Sequence, residues 1–280
     1  MKPESKRMML VAGKELAPAG KRQPISVTFD TNVIENVVTE GRAKENGLGA
    51  VFYALRRGLI NGCVAYSYFV HDAIKRGTRI DKLRDGMEVR IPSNPLLYQK
   101  GLGMKFVQTA VVSPDSFHRE TAGALRSLNM KVLDFKRAYW PTTPLDLPVS
   151  SAPDDYNDRI RAIQIIVEDE LHCGFYRLRE YMRIEAGNNG DDLSLLFQLR
   201  SEQGKAFNRA YSEAADGDAV IAHYGYGIDL FCTDDRASNA GSQSVFSLVN
   251  KRILSERLGI NFVSSMQLVD IINEMEWRHV

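Results

Sequence analysis

Three short β-prone runs, each ending in polar residues, constrain this chain more than any other feature. Ile25-Ser26-Val27-Thr28-Phe29 leads into Asp30-Thr31-Asn32, Cys63-Val64-Ala65-Tyr66 into Ser67, and Ile228-Asp229-Leu230-Phe231-Cys232 into Thr233-Asp234-Asp235-Arg236. β-Branched and aromatic residues favour a pleated, buried strand, while Thr, Asn and Ser at the exits supply turn and helix-cap chemistry. After Asp30 and Ser67 the apolar spacing lengthens to the helical period, at Val33 to Val38 and at Phe69, Val70, Ala73 and Ile74. Strands alternating with helices predict an α/β fold around a parallel sheet. Ligands of such sheets bind beyond the carboxyl ends of the strands, so Asp30 stands where chemistry is done.

The remaining elements follow the same logic. Gly49 to Leu59 reads as a helix with Val51, Phe52 and Leu55 on one face, after a polar break from Thr39 to Gly49, and Asn61-Gly62 reads as a turn. Phe106 to Val112 and Met130 to Phe135 are strand candidates flanking a helix from Ser116 to Leu128. Trp140 to Pro153 is rich in Pro, Thr and Ser and breaks regular structure. Tyr156, Ile160, Ile163, Val167, Leu171, Leu178 and Met182 then predict one long amphipathic helix, opened by Pro153 and Asp154 and closed near Gly187. Its acids Glu168, Asp169 and Glu170 read as a solvent face. A second helical stretch spans Leu193 to Ala215, and a separate helix opens at Asp218 with its acid in the first turn. Helices over Val245 to Leu258 and Met266 to Met275 bracket a final strand at Ile260 to Val263. Residues 1–23 form a polar, basic extension, 24–280 a single domain, and about 141–210 a helical elaboration suited to packing, oligomer contacts or substrate guidance.

Composition limits the function classes. In 280 residues the formal net charge is +1, so a polyanion would have to meet a local basic patch, for which Lys75 to Arg90 is the best stretch. No apolar run approaches the roughly 20 residues of a membrane-spanning helix. The early Met-Met-Leu-Val-Ala stretch is short for a signal peptide. Cys63, Cys173 and Cys232 are too few and scattered for a disulfide framework, and reduced thiols in the cytoplasm are the expected state.

Four acids occupy strand ends or helix starts: Asp30, Asp72, Asp218 and Asp235. Like charges brought together raise one another's pKa, and a divalent cation removes that penalty. Hard oxygen donors without a His/Cys cluster select Mg²⁺ or Mn²⁺ over zinc. Taken singly, Asp30 is equally a helix cap, Asp218 a first-turn acid and Asp234-Asp235 a turn.

In combination, Asp30-Thr31-Asn32 after a strand, Asp218-Ala219-Val220-Ile221-Ala222 and Thr233-Asp234-Asp235-Arg236 resemble the motifs of PIN-domain nucleases. The resemblance covers roughly residues 24–80 and 210–275, about half the chain. It implies a three-layer α/β/α PIN-like fold and a divalent-metal phosphodiesterase, here an endoribonuclease that hydrolyses RNA with metal-activated water. Asp30, Asp218 and Asp235 would ligate the metal, Asp72 would be the fourth catalytic acid, and Asn32 and Thr233 would hold the acids by hydrogen bonds. Asp72 departs from the Glu common in the family, and Asp81 and Asp85 are its nearest substitutes in sequence. Arg236 is the candidate phosphate contact. Partners implied are RNA or single-stranded DNA, a second copy of the chain, and an inhibitory protein of the kind that restrains toxin members of the family. The alternative is a catalytically weak PIN-like module binding RNA or protein. A third reading, a phosphotransferase using Asp30, would call for a second Asp where Asn32 stands.

Of the neighbouring groups, His223 reads as a hydrogen-bonded, partly buried side chain, Tyr224 and Tyr226 as packing residues, Asp229 as structural, and Asp216 and Asp234 as bystanders.

Overall fold

The computed structural model describes residues 24–71, 88–90, 105–107, 116–137, 147–187, 204–237 and 241–277, with 195 and 199. The basic extension 1–23, Asp72, Asp81, Asp85 and the basic stretch from Lys75 to Met87 lie outside the described residues. The elements are β1 (Ile25–Phe29), α1 (Thr31–Val37), α2 (Glu40–Glu45), α3 (Gly49–Arg56), β2 (Ile60–Ala65), α4 (Tyr66–His71), β3 (Glu88–Arg90) and β4 (Lys105–Val107). They continue with α5 (Ser116–Ser127), β5 (Lys131–Leu133), α6 (Tyr156–Gln164), a π-helical turn (Ile165–Glu170) and α7 (Phe175–Ala186). The last are α8 (Lys205–Tyr226), β6 (Leu230–Cys232), α9 (Leu248–Leu258), β7 (Phe262–Val263) and α10 (Ser265–Trp277).

Five strands form an all-parallel sheet in the order β5-β2-β1-β6-β7, so the fold is α/β. Alternation along the strands sends side chains to opposite faces. Val27, Phe29, Val64, Leu230 and Cys232 enter one apolar cluster with residues of α1, α3 and α10. Cys63, Ala65 and Phe231 enter a second cluster with residues of α6, α9 and the C-terminal half of α8. From β1 the chain proceeds outward to β2 and β5, then returns to the other side of β1 for β6 and β7. The connections therefore diverge between β1 and β6, which is the place where open α/β sheets form a crevice.

The fold departs from the sequence expectations at four points. Asn61-Gly62 is not a turn but part of β2, paired with Ser26 and Val27 of β1. A Cβ on Gly62 would come within 2.6 Å of Leu55 Cδ2 and 2.9 Å of Met130 Cε, so close packing explains the glycine. The β4 segment pairs antiparallel with β3 in a separate two-stranded sheet.

The long helix expected from Asp154 to Gly187 is divided. A π turn, closed by the Leu171 N–H donating to the Ile166 carbonyl at 2.9 Å, shifts the phase of the buried stripe. Glu168 thereby turns inward and is buried, rather than lying on a solvent face. Glu170, by contrast, pairs at the surface with Arg257.

The expected helix over Leu193 to Ala215 and the separate one opening at Asp218 are, from Lys205 to Tyr226, a single helix, with Asp218 in its interior. Gly217 costs roughly 1 kcal/mol of helix propensity, which is why a break looks natural there. Its compensation is a backbone contact: a Cβ on Gly217 would lie 2.5 Å from Gly174 Cα, at the start of α7. The close approach of α7 and α8 leaves Asp218 almost wholly enclosed, at 1 % exposure.

Candidate functional site

Asp30 is delivered by β1 to the rim of the β1/β6 crevice. Its N–H donates to the Cys232 carbonyl at 2.9 Å, locking the end of β1 to the end of β6. Oδ1 accepts from the Thr31 N–H at 2.8 Å and so caps α1, while Oδ2 accepts the Thr233 hydroxyl at 2.7 Å. The cap reading of this carboxylate therefore holds, and its second oxygen is bonded across to the end of β6. Thr233 Oγ1 in turn accepts the Asp235 N–H at 3.0 Å. One hydroxyl thus ties the first and last acids of the motif together across the crevice.

Asp235 is half-buried, and its Oδ1 accepts the Ala237 N–H at 2.6 Å. Lys251, from α9, donates its ammonium to the Asp235 carbonyl oxygen at 2.6 Å. Burial lowers the Lys251 pKa, and the neighbouring charges of Asp235, Asp30 and Asp234 oppose that shift. Asn32 is exposed and its Oδ1 accepts the Asp234 N–H at 3.4 Å, so it steadies the loop after β6. Asp234 is exposed, and its carboxylate accepts the Ser265 N–H at 2.9 Å, capping α10. Arg236 is exposed on the same loop.

Asp218 belongs to a different set of contacts. Arg137, just beyond β5, donates Nε to Asp218 Oδ1 and Oδ2 at 2.8 and 3.1 Å and a terminal nitrogen to Oδ1 at 2.6 Å. The same terminal nitrogen meets Glu168 Oε1 at 2.5 Å, and the guanidinium lies 4.4 Å from the Phe175 ring centroid. Burial raises the Glu168 pKa, Arg137 opposes the shift, and the nearby Asp218 charge adds to it. Among the described residues no group of three or more His, Cys, Asp or Glu is disposed to hold a metal ion. A guanidinium thus stands against Asp218 where the family resemblance implies a metal.

Three charged residues at or near this edge escaped the sequence reading. Arg137 and Lys251 carry no motif. Glu213 had a readable signal, because it shares α8 with Asp218 and falls among buried Ala210, Tyr211 and Ala214. It is 9 % exposed, and its Oε2 is buried with no hydrogen-bond partner among the described residues. Burial foremost pushes its pKa up to about 7; the Ser244 hydroxyl opposes this, and the Asp235 charge adds to it.

Other side chains are structural. His223 Nδ1 lies 2.9 Å from Thr28 Oγ1, and burial followed by the charge of Arg159 lowers its pKa to about 3. Asp229 accepts from both the N–H and the hydroxyl of Ser26, at 2.9 and 2.7 Å. Arg159 lies over the Tyr224 ring, and the Tyr226 hydroxyl accepts the Asp134 N–H at 3.1 Å. Cys63 and Cys173 are buried thiols pushed up to about 12, too high for nucleophilic work at neutral pH. No helix among the described residues is long and apolar enough to cross a membrane. No family model matches the chain, and no curated protein or solved structure is significantly similar to it.

Proposed function

We propose that this protein is a divalent-metal-dependent phosphodiesterase with a PIN-like three-layer architecture, acting on RNA. The observation that carries the reading is the Asp30–Thr233–Asp235 linkage across the β1/β6 crevice. It unites two of the motif acids at the point where α/β sheets bind their ligands. The central position of β1 and the helices contributing to both apolar clusters support the layering.

The donor set at β1/β6 fits a hard cation: it is carboxylate and hydroxyl oxygen from Asp30, Asp235 and Thr233. Such an ion, when bound, lowers the pKa of water and offsets charge building on a phosphate. Asp30 and Asp235 would hold it, and Thr233 keeps both acids in register. Lys251 limits the repulsion among Asp30, Asp234 and Asp235 before any substrate arrives. Arg236, exposed and next to Asp235 in sequence, would meet a phosphate. Asp218 stays with Arg137 and joins the set only where that ion pair opens.

The test is incubation of the purified protein with mixed RNA and single-stranded DNA, with and without Mn²⁺, beside Asp30→Asn and Asp235→Asn. Cleavage of RNA that requires Mn²⁺ and disappears in both variants is expected. Undiminished cutting by either variant would refute the assignment. The hold of Arg137 on Asp218 favours a second reading, a PIN-like binding module with little catalysis. RNA retention without cleavage by the wild-type protein selects that reading.

A further inference from the structure

We propose that Lys251 is a positioning residue: its ammonium clamps the main chain of Asp235 and so sets where that carboxylate acts. The clamp stands on hydrogen-bond geometry; its service to a bound cation rests on the metal-dependent reading above.

The sheet stops short of Asp235. Thr233 is still tied to β7, its N–H donating to the Val263 carbonyl at 3.0 Å. Beyond it, no backbone–backbone hydrogen bond reaches Asp235 among the described residues. Two side chains hold its main chain instead. Thr233 Oγ1 accepts the Asp235 N–H at 3.0 Å, and Lys251 Nζ donates to the Asp235 carbonyl oxygen at 2.6 Å. Two residues on, Ala237 has a φ of 53°, a left-handed conformation disfavoured for any residue with a Cβ. Its N–H is the donor that engages Asp235 Oδ1 at 2.6 Å. Loop conformation and carboxylate position therefore depend on each other, and a main chain released by Lys251 also releases Oδ1.

Lys251 is itself aimed. Its ammonium lies 5.4 Å from the Phe246 ring centroid and 5.9 Å from that of Phe262, within the range of a cation–π contact. Phe262 belongs to β7, the strand paired with β6, so the sheet that delivers Asp235 also carries part of the cradle. The choice of partner separates a clamp from a charge balance. Asp234 and Asp235 lie on the same loop, yet Lys251 forms no ion pair among the described residues and spends its charged donor on a neutral carbonyl. The two roles also differ in sign. A lysine that only balances charge competes with a cation, and its removal tightens metal binding. Removal of a clamp on a ligand weakens it.

The experiment compares wild type, Lys251→Met and Lys251→Arg as full-length chains, with circular dichroism to establish folding. Amide hydrogen exchange is followed by NMR in the metal-free proteins, and Mn²⁺ binding by electron paramagnetic resonance. In Lys251→Met the Asp235 and Ala237 amides are expected to exchange about tenfold faster, while Phe231 and Thr233, held by the sheet, are unchanged. Mn²⁺ binding weakens about tenfold in the same variant. Lys251→Arg, which keeps a cationic donor, retains most of both. Where Lys251→Met does not fold, Lys251→Gln serves as the neutral variant. Wild-type exchange at both amides in the neutral variant overturns the clamp. Mn²⁺ affinity equal to or above wild type overturns its service to the cation. Faster exchange at both amides, in a chain whose wild type binds no Mn²⁺, upholds the clamp and overturns the metal-dependent reading beneath it.

Discussion

Replacing Glu213 with Gln makes the metal-free protein more stable at alkaline pH and leaves it unchanged at acid pH. The carboxyl titrates at about 7 in the folded chain against an ordinary value of 4.5, with burial the principal cause. A raised acid pKa means that the folded state prefers the protonated form. Its favourable contribution is complete below pH 4.5 and is lost as pH rises through about 7. A gap of about two and a half pH units, at about 1.4 kcal/mol per unit, amounts to ~3 kcal/mol of destabilisation once the group is ionised. Glutamine has nearly the same shape and no charge. The stability difference between Glu213→Gln and wild type is therefore near zero at about pH 4.5 and approaches ~3 kcal/mol at about pH 8 in favour of the variant. Urea unfolding at both pH values, in chelator, measures it. Titration of His223 and the other acids is common to both proteins and cancels in the difference. A difference that is the same at both pH values would refute the reasoning, as would a variant less stable than wild type at the alkaline pH.

Two further outcomes follow from the buried charges. Arg137→Ala leaves the carboxylates of Asp218 and Glu168 facing each other without their guanidinium, and is expected to cost about 3–5 kcal/mol by urea unfolding. Neutralising both acids as well, in the variant Arg137→Ala/Glu168→Gln/Asp218→Asn, restores a large part of that loss; a single-variant cost below about 1 kcal/mol contradicts the paired geometry. His223, held down to about 3 by burial and by the charge of Arg159, stays neutral through the mildly acidic range. The stability it lends is present above its unfolded pKa of about 6.5 and drains away as pH falls toward 3. Nitrogen-detected NMR of the imidazole therefore shows no protonation at about pH 5, and a midpoint near 6.5 excludes the enclosed position against Thr28.

The parallel strands and the chemistry at their exits were legible because they are local. Ile25–Phe29 carries its own β propensity, and Thr31 and Ser67 lie where the period of the apolar pattern changes. Helix phase was less legible. The π turn at Ile165–Glu170 inserts its extra residue without a Gly or Pro to mark it, so regular spacing puts Glu168 on the wrong face. Gly217 reads as a boundary because a glycine in a helix interior is unfavourable in isolation, and its backbone partner Gly174 is remote in sequence.

By itself the sequence determined the α/β class, the order of most elements and the strand-end positions of Asp30 and Asp235. Those depend on spacing, propensity and capping, which act over a few residues. Only the tertiary structure decided which acids share a neighbourhood. Thr233 joins Asp30 to Asp235 because β1 and β6 are neighbours in the sheet, although 203 positions separate Asp30 from the threonine that bonds it. Arg137 claims Asp218, and Glu213 is left buried with an unsatisfied oxygen among the described residues, because elements from distant parts of the chain pack around them. Burial and pairing of charge are properties of that packing, and no spacing along the chain encodes them.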